Sequence, residues 1–478
     1  MELPVSFVSH IRSLLPADEA QSFFEAVAQS EPSVSIRINE AKSFIAPENS
    51  SQVPWSATGR YLSSRPVFTA DPLFHAGCYY VQEASSMFLE QAMKQTIGDE
   101  AKPMVMLDLC AAPGGKSTLA RTLLPEGSLL VANEVMRSRS QILAENLTKW
   151  GHSDVVVTSN DPADFTPMSG FFDMILVDAP CSGEGMFRKD PVAMSEWSDE
   201  NVDICCKRQR RIVSDIWPTL KPGGTLIYST CTYNTKEDEE IIRWMRDEFD
   251  AEIVSLDISD EWKIKGSLLK GENFPVYRFM PHRTQGEGIF MAVVRKPGTA
   301  NLTSASYEAG CLKANKAKGT GKGKAGKRAN SQPLITKEQL TALRRWLLEP
   351  ERFELLADKE VVRAFPVSHL SALTTLKQHL YLLQAGVQLA ELKGRDWVPS
   401  HALAMSTSLA ADAFPREALT REVAIAYLRK EAITLSATAP RGIVLVTFEG
   451  HPLGFVKNVG NRANNLYPQE WRIRSSYL

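Results

Sequence analysis

A doubly wound α/β sheet is the fold class this sequence predicts for its middle. Three observations predict it. Between residues 101 and 297, short β-branched or apolar runs alternate with helical stretches, the signature of a mostly parallel sheet with helices on its faces. The first of those runs is followed at once by a glycine loop, Gly114-Gly115. Two later runs end at Asp178 and Thr230, each with a cysteine close behind. Parallel sheets keep their ligand crevice at such strand ends.

Taken in order, Val105–Leu109 reads as a strand and Lys116–Leu124 as a helix. Ser128–Asn133 is a strand, Arg137–Trp150 a helix and Val155–Thr158 a strand. Met174–Val177 is a strand ending at Asp178. Ser198–Leu220 is a long helix, with Ser198 suited to cap it because its hydroxyl can accept a free N–H of the first turn. Thr225–Tyr228 is a strand and Lys236–Phe249 a helix. Ile289–Val294 is a last strand with no helix behind it.

The flanks read differently. Residues 2–30 carry two short amphipathic helices around Pro16, and Ser33–Asn39 alternates as a strand on which Arg37 and Asn39 could reach RNA. Residues 47–80 are rich in turn formers, and Val81–Gln95 is a helix. Lys313–Arg328 holds seven Lys/Arg, four Gly and no acid; it cannot bury a core and reads as a flexible basic linker able to contact phosphates. Beyond it, helical segments and short strands lead to a hairpin over Arg441–Asn458. The expected domains are 1–100, an α+β packing or RNA-binding module; 101–297, the sheet domain; 298–332, the linker; and 333–478, a small mixed region.

Composition sets limits. A chain of 478 residues with 44% hydrophobic and 23% charged residues should form two to four globular domains. The net charge of −2 means that a polyanion would have to bind local patches. Arg188, Lys189 and the Lys207-Arg208/Arg210-Arg211 cluster are candidate backbone contacts. Seven cysteines show no metal-ligand spacing, and no disulfide framework is legible, which suits a reducing compartment. No apolar run approaches a membrane span of roughly 20 residues. The expectation is a cytoplasmic, metal-free, soluble monomer.

Three strand ends carry chemistry. The loop Cys110-Ala111-Ala112-Pro113-Gly114-Gly115-Lys116 could cradle a phosphate or an adenosyl cofactor with a carboxylate tail. A phosphate loop needs glycine five positions before Gly115, where Cys110 stands. Glu134 lies 20 residues beyond Gly114 at the end of the next strand, where an acid binds ribose hydroxyls; this favours the adenosyl cofactor. Asp161 follows the third strand and could hold the adenine edge. Cys181, in Asp178-Ala-Pro-Cys-Ser-Gly183, and Cys231, in Tyr228-Ser-Thr-Cys-Thr232, would face one crevice. Paired thiols beside such a cofactor suit methylation of cytosine carbon 5. One thiolate adds to carbon 6, the other assists proton removal, and Asp178 holds the base's Watson–Crick edge. Lys116 is a candidate cation to favour the thiolate. On residues alone the two thiols are interchangeable.

The motifs Asp-Leu-Cys-Ala-Ala-Pro-Gly-Gly-Lys (108–116), Asp-Ala-Pro-Cys-Ser-Gly (178–183) and Tyr-Ser-Thr-Cys-Thr (228–232) resemble those of the Sun/Nop family of RNA cytosine-C5 methyltransferases. Tyr80–Met87, the Arg37/Asn39 strand and the C-terminal hairpin with Gly460 and Tyr467-Pro468 are similar to its bacterial RsmF-type branch, which modifies 16S ribosomal RNA. The resemblance implies a Rossmann-like class I methyltransferase domain and a C-terminal PUA-like RNA-binding module. It implies S-adenosyl-L-methionine held by Cys110–Lys116, Glu134, Asp161 and Asp178. It also ranks the thiols, with Cys231 as nucleophile and Cys181 as the thiol that assists release. RNA, as 16S rRNA or the small ribosomal subunit, is the implied partner. Three alternatives compete: a tRNA-directed enzyme, a small-molecule methyltransferase, and a non-catalytic RNA-binding assembly factor.

Overall fold

The computed structural model describes residues 3–29, 31–98, 102–299 and 335–474. The basic linker 313–328 and Cys311 lie outside the described residues.

The N-terminal region opens with helices Val5–Leu14 and Ala17–Gln29. Their apolar faces do not pack on the sheet that follows. Phe7 meets Phe187 at 5.1 Å and Trp197 at 5.6 Å between ring centroids, and Phe23 meets Tyr233 at 4.9 Å. The helices therefore buttress the segments behind Cys181 and Cys231. The sheet consists of β1 (Ser35–Ile38), β2 (Ser50–Gln52), β3 (Gly59–Leu62) and β4 (Tyr79–Val81), in the order β2-β3-β1-β4.

The expected helix over Val81–Gln95 is shorter than its pattern. Tyr80 pairs with Arg37 across β4 and β1, and the Glu83 carboxylate accepts the N–H groups of Ser85 and Ser86 at 2.9 and 3.0 Å. The α-helix begins only at Leu89 and runs to Ile97.

The central sheet contains β5 (Val105–Asp108), β6 (Leu129–Asn133), β7 (Val155–Thr158), β8 (Phe172–Asp178), β9 (Leu220–Thr230), β10 (Glu252–Ile253), β11 (Tyr277–Phe279) and β12 (Ile289–Arg295). Its order is β10-β12-β9-β8-β5-β6-β7, with β11 also paired to β12. Strands β5 to β9 run parallel and β12 antiparallel to β9, giving the expected doubly wound sheet. Every residue of β5, β6 and β7 is buried, because helices cover both faces. Leu119, Leu143 and Leu147 pack on one face with Met106 and Leu130, while Ile212, Ile216, Ile241 and Met245 pack on the other with Leu107 and Val131. Ser198 caps the helix Asp199–Ile216 by accepting the Asn201 N–H at 3.1 Å. The order of strands reverses between β5 and β8, with β6 and β7 laid down on one side of β5 and β8 and β9 on the other, so their carboxyl ends open a crevice.

The C-terminal region holds two further sheets. One is β13 (Phe353–Asp358), β14 (Val361–Pro366), β16 (Val387–Lys393) and β17 (Asp396–Pro399). Between β14 and β16 in the chain, β15 (Leu382–Ala385) leaves to pair antiparallel with β7, and so adds an edge strand to the central sheet. The other sheet is β18 (Arg416–Ala418), β19 (Gly442–Phe448), β20 (His451–Asn458) and β21 (Ala463–Asn465). The expected hairpin is β19–β20, and Gly450 at φ +82° makes its turn. Among the described residues, no helix is long and apolar enough to cross a membrane.

Candidate active site

Strand β5 delivers Asp108 to the crevice fully buried. Its carboxyl accepts the Ser117 hydroxyl at 2.6 Å, and burial pushes it up to about 7. The loop that follows turns at Gly114, whose φ of +112° is left-handed and suits glycine. The helix Gly115–Leu123 starts there. A β-carbon on Gly115 would stand 3.2 Å from the Tyr80 ring, so the missing side chain lets β4 close over the loop. Between the loop and Tyr80–Glu83 lies a cleft of about 200 Å³, walled also by Asp108, Lys116 and Asp178.

Arg37 and Asn39 are not RNA contacts. Both are fully buried. The Arg37 guanidinium donates to Gln82 at 2.7 Å and to Thr118 at 2.5 Å, and it stacks 4.3 Å from the Trp150 ring centroid. Asn39 donates to the carbonyls of Gly77 and Trp150 at 2.9 and 3.0 Å. They tie the N-terminal sheet to the glycine helix and hold the roof of the cleft in place.

Strand β8 ends at Asp178, which accepts the Ser229 hydroxyl at 2.7 Å and pairs with the Lys116 ammonium at 2.8 Å. Burial alone would lower the Lys116 pKa; Asp178 more than reverses this, helped by Cys231 and Asp108, and the group is held above its ordinary value. Lys116 thus stays charged beside the thiols.

The two cysteines meet at the ends of adjacent strands. Cys181 Sγ and Cys231 Sγ stand 3.1 Å apart across 50 residues of sequence, and both thiols are free. Cys181 Sγ also accepts the backbone N–H of Cys231 at 3.3 Å. The hydrogen bond to Cys231 and burial push the Cys181 thiol well above its ordinary value.

Sequence reasoning missed the carboxylates that set this geometry. Glu184 is buried and accepts the N–H groups of Tyr233 and Asn234, the Asn234 amide and the Trp197 indole. Glu237 accepts the Ser182 N–H at 3.0 Å and the Gln209 amide at 2.8 Å. Behind them Arg278, also buried, pairs with Asp238 at 3.0 Å and with Glu239. Asp238 and Glu239 occupy the stretch expected to open a helix, which therefore begins at Glu239 rather than Lys236. A glutamate in Ser-Gly-Glu reads as a surface residue unless its buried donors are known.

Of the remaining expected residues, Glu134 follows β6 almost fully buried, accepting the Met136 N–H at 3.0 Å and facing Arg139 at 3.3 Å. With Asp108 and Asp178 it adds to the burial that raises the Cys110 thiol, so all three acids converge on the loop. Asp161 is elsewhere occupied. It caps a short helical turn through Ala163 N–H and pairs with Arg211 at 2.8 Å. Arg188 is likewise not a free phosphate contact: its side chain is 6% exposed and donates to the carbonyls of Glu31 and Gly286. Lys189 lies 3.5 Å from Glu287. Lys207, Arg208 and Arg210 remain exposed on the helix surface.

Comparison with known proteins places the chain. The family described as 16S rRNA methyltransferase RsmB/F matches residues 97–295. The N-terminal domain of 16S rRNA methyltransferase RsmF matches 3–84, and the methyltransferase RsmF PUA domain matches 415–473. Ribosomal RNA small subunit methyltransferase F of Klebsiella pneumoniae (strain 342) is 31% identical, over 98% of this chain and 96% of its own. The protein of the same name from Escherichia coli O81 (strain ED1a) is equally similar, with the same coverage. Among solved structures, a methyltransferase homolog from Pyrococcus horikoshii superposes with a TM-score of 0.52 and 27% identity, over 61% of this chain and 94% of that one. NSun6 from Pyrococcus horikoshii shares the fold, with a TM-score of 0.51 at 21% identity, over 62% of this chain and 99% of that one. The chain belongs to the ribosomal RNA small subunit methyltransferase F family.

Proposed function

We propose that this protein transfers a methyl group from S-adenosyl-L-methionine to carbon 5 of a cytosine in 16S ribosomal RNA. The observation that carries the reading is the Cys181–Cys231 contact of 3.1 Å beside the glycine-loop cleft. A small-molecule methyltransferase has no need of two thiols, and an assembly factor would leave them idle. The relatives at 31% identity are named for the small ribosomal subunit, which favours that RNA over tRNA.

The cleft suits the methyl donor. Asp108 Oδ1 and Gln82 Nε2, both in its walls, have no hydrogen-bond partner within the described residues. One accepts an ammonium and the other donates to a carboxylate, which are the two termini of a methionine. Cys110–Lys116, Glu134 and Asp178 would hold the rest; Asp161 would join by yielding part of its pairing with Arg211. When bound, the donor supplies an electrophilic methyl group.

The chain's residues do the remainder. The base must leave its stack to reach the crevice. Cys231 as thiolate adds its electron pair to carbon 6, forming an S–C6 bond and making carbon 5 nucleophilic. The Cys181 S–H, kept protonated, donates to the Cys231 sulfur and favours its thiolate form, with the Lys116 charge nearby. After methylation, the Cys181 sulfur, its own proton released to solvent, takes the carbon-5 proton; the C5–H electron pair restores the C5=C6 bond, and the S–C6 bond breaks with Cys231 leaving as thiolate. Cys181 assists this release. Asp178, one-third exposed at the crevice, is placed to accept from the base's amino edge.

The test is incubation of the purified protein with a 16S rRNA transcript, assembled small subunits or tRNA, and labelled donor, followed by mapping of 5-methylcytosine. The label is expected in 16S rRNA. No transfer, or transfer to tRNA alone, would overturn the reading.

A further inference from the structure

A second cavity, of about 500 Å³, shares no wall residue with the methyl-donor cleft. It lies where three parts of the chain meet: Thr148 of the central domain, the β14–β16–β17 sheet, and the region matched by the PUA family. Binding pockets concentrate at such junctions, in the size range of roughly 300–1,000 Å³.

Its walls are polar and locally cationic. Arg363, Lys393 and Lys430 line it with His401, Tyr467 and Trp471. Glu391 and Glu470 line it too, and Glu391 stands 3.3 Å from Lys393. Lys430 donates to the Tyr467 carbonyl.

Arg363 is different. It is half-buried, and among the described residues no hydrogen bond or ion pair holds its guanidinium. It sits at the bulge where the β14–β16 register shifts between Val362 and Arg363. Such bulges re-aim side chains. Its cross-strand neighbour Gln388 also lines the cavity.

Two more groups lack partners. Among the described residues, the hydroxyl of the fully buried Tyr467 and both nitrogens of His401 have no hydrogen-bond partner. Burial and nearby lysines pull His401 down to about 3, so it is neutral and can both donate and accept. Unpaired buried polar groups are costly, and a cation without an acid suits an anion. Trp471 adds an aromatic ring, whose contacts to His401 and Lys149 fix it in place. An anion with a flat, hydrogen-bonding ring is a nucleotide.

We propose that this cavity binds one unpaired nucleotide of the RNA substrate, with its phosphate at Arg363 and its base among Trp471, His401 and Gln388. The proposal rests on the reading of RNA as the substrate. It gives the C-terminal region a defined anchor, away from the cysteines, on β14, which β15 follows in the chain before joining the catalytic sheet.

The experiment uses the full chain and a 16S rRNA transcript. Arg363→Ala removes a guanidinium that has no partner among the described residues, so the unfolding midpoint should hold. The RNA KM should rise by roughly fivefold, with kcat at saturating RNA unchanged. Arg363→Ala should also reduce the slope of log affinity against log salt by about 0.7, the value for one single-strand phosphate contact. An Arg363→Ala protein with wild-type KM and salt slope would overturn the proposal. If the wild type methylates the transcript in that experiment, only the cavity assignment falls. A wild type that transfers no methyl to RNA removes the reading beneath it, and the proposal with it.

Discussion

Glu184 receives the backbone N–H of Tyr233 at 2.7 Å, two residues beyond Cys231. The same carboxylate holds Asn234 and Trp197. It follows Cys181 by three residues, and Gly185 donates its N–H to the Cys231 carbonyl at 2.9 Å. One buried anion thus locks the two thiol-bearing segments in register. Glu184→Gln keeps the shape, loses the charge and places an N–H₂ against donors. Hydrogen bonds to charged groups contribute about 1.5–3 kcal/mol each, so a loss of about 3 kcal/mol in urea unfolding is expected. Methyl transfer should slow more than tenfold, while donor affinity, read by equilibrium dialysis, stays near wild type.

Arg37 makes a separate prediction because its role is architectural. Arg37→Ala should cost about 3 kcal/mol, by leaving a void beside Trp150 and stranding Gln82 and Thr118. The salt dependence of RNA binding should not change, since the side chain touches no solvent. A shallower salt slope would restore Arg37 as an RNA contact.

Asp108 links the cleft to pH. Its folded carboxyl titrates at about 7, against about 4 in an unfolded chain. Between these values the native state holds a proton that the unfolded state has lost. The stability it contributes is therefore full below about pH 4 and is lost as pH rises through 7. Relative to Asp108→Asn, the wild type should lose on the order of 2 kcal/mol between about pH 5 and 7, read by urea unfolding. Donor binding should strengthen as the carboxylate forms above pH 7, and the asparagine variant should flatten that dependence.

Lys116 should matter for both ligand and thiol. Lys116→Met removes the partner 2.8 Å from Asp178 and a cation that interacts electrostatically with Cys231. The donor KM is expected to rise about tenfold. Methyl transfer at saturating donor should slow as well, because the positive charge that would stabilise an attacking thiolate is gone. Lys116→Arg should restore part of the charge effect but not the fit, as its planar fork is not an ammonium.

Much of this was legible in the sequence where the pattern is local. The alternation from Val105 to Thr230 gave the sheet, because fully buried parallel strands and amphipathic helices each leave a periodic trace. The strand-end rule brought Asp178, Cys181 and Cys231 to one crevice, as the contact at 3.1 Å shows. What failed was long-range. Arg37 looked exposed because its partners, Gln82, Thr118 and Trp150, are 45 to 113 residues away. Arg188 and Arg211 looked like phosphate contacts because Glu31, Glu287 and Asp161 could not be seen beside them. Strand β15 is four residues long and gains its place only by pairing with β7. The two thiols were equivalent by position, and only the family resemblance ranked them.

The ranking of the thiols is tested most directly by trapping. Cys181→Ala, mixed with 16S rRNA transcript and donor, should accumulate a covalent RNA–protein adduct that survives denaturation, because Cys231 attaches and release is impaired. The double variant Cys181→Ala/Cys231→Ser should give none, and Cys231→Ser alone should lose methyl transfer while keeping donor binding. An adduct that depends on Cys181 and survives loss of Cys231 would contradict the assignment of Cys231 as the nucleophile.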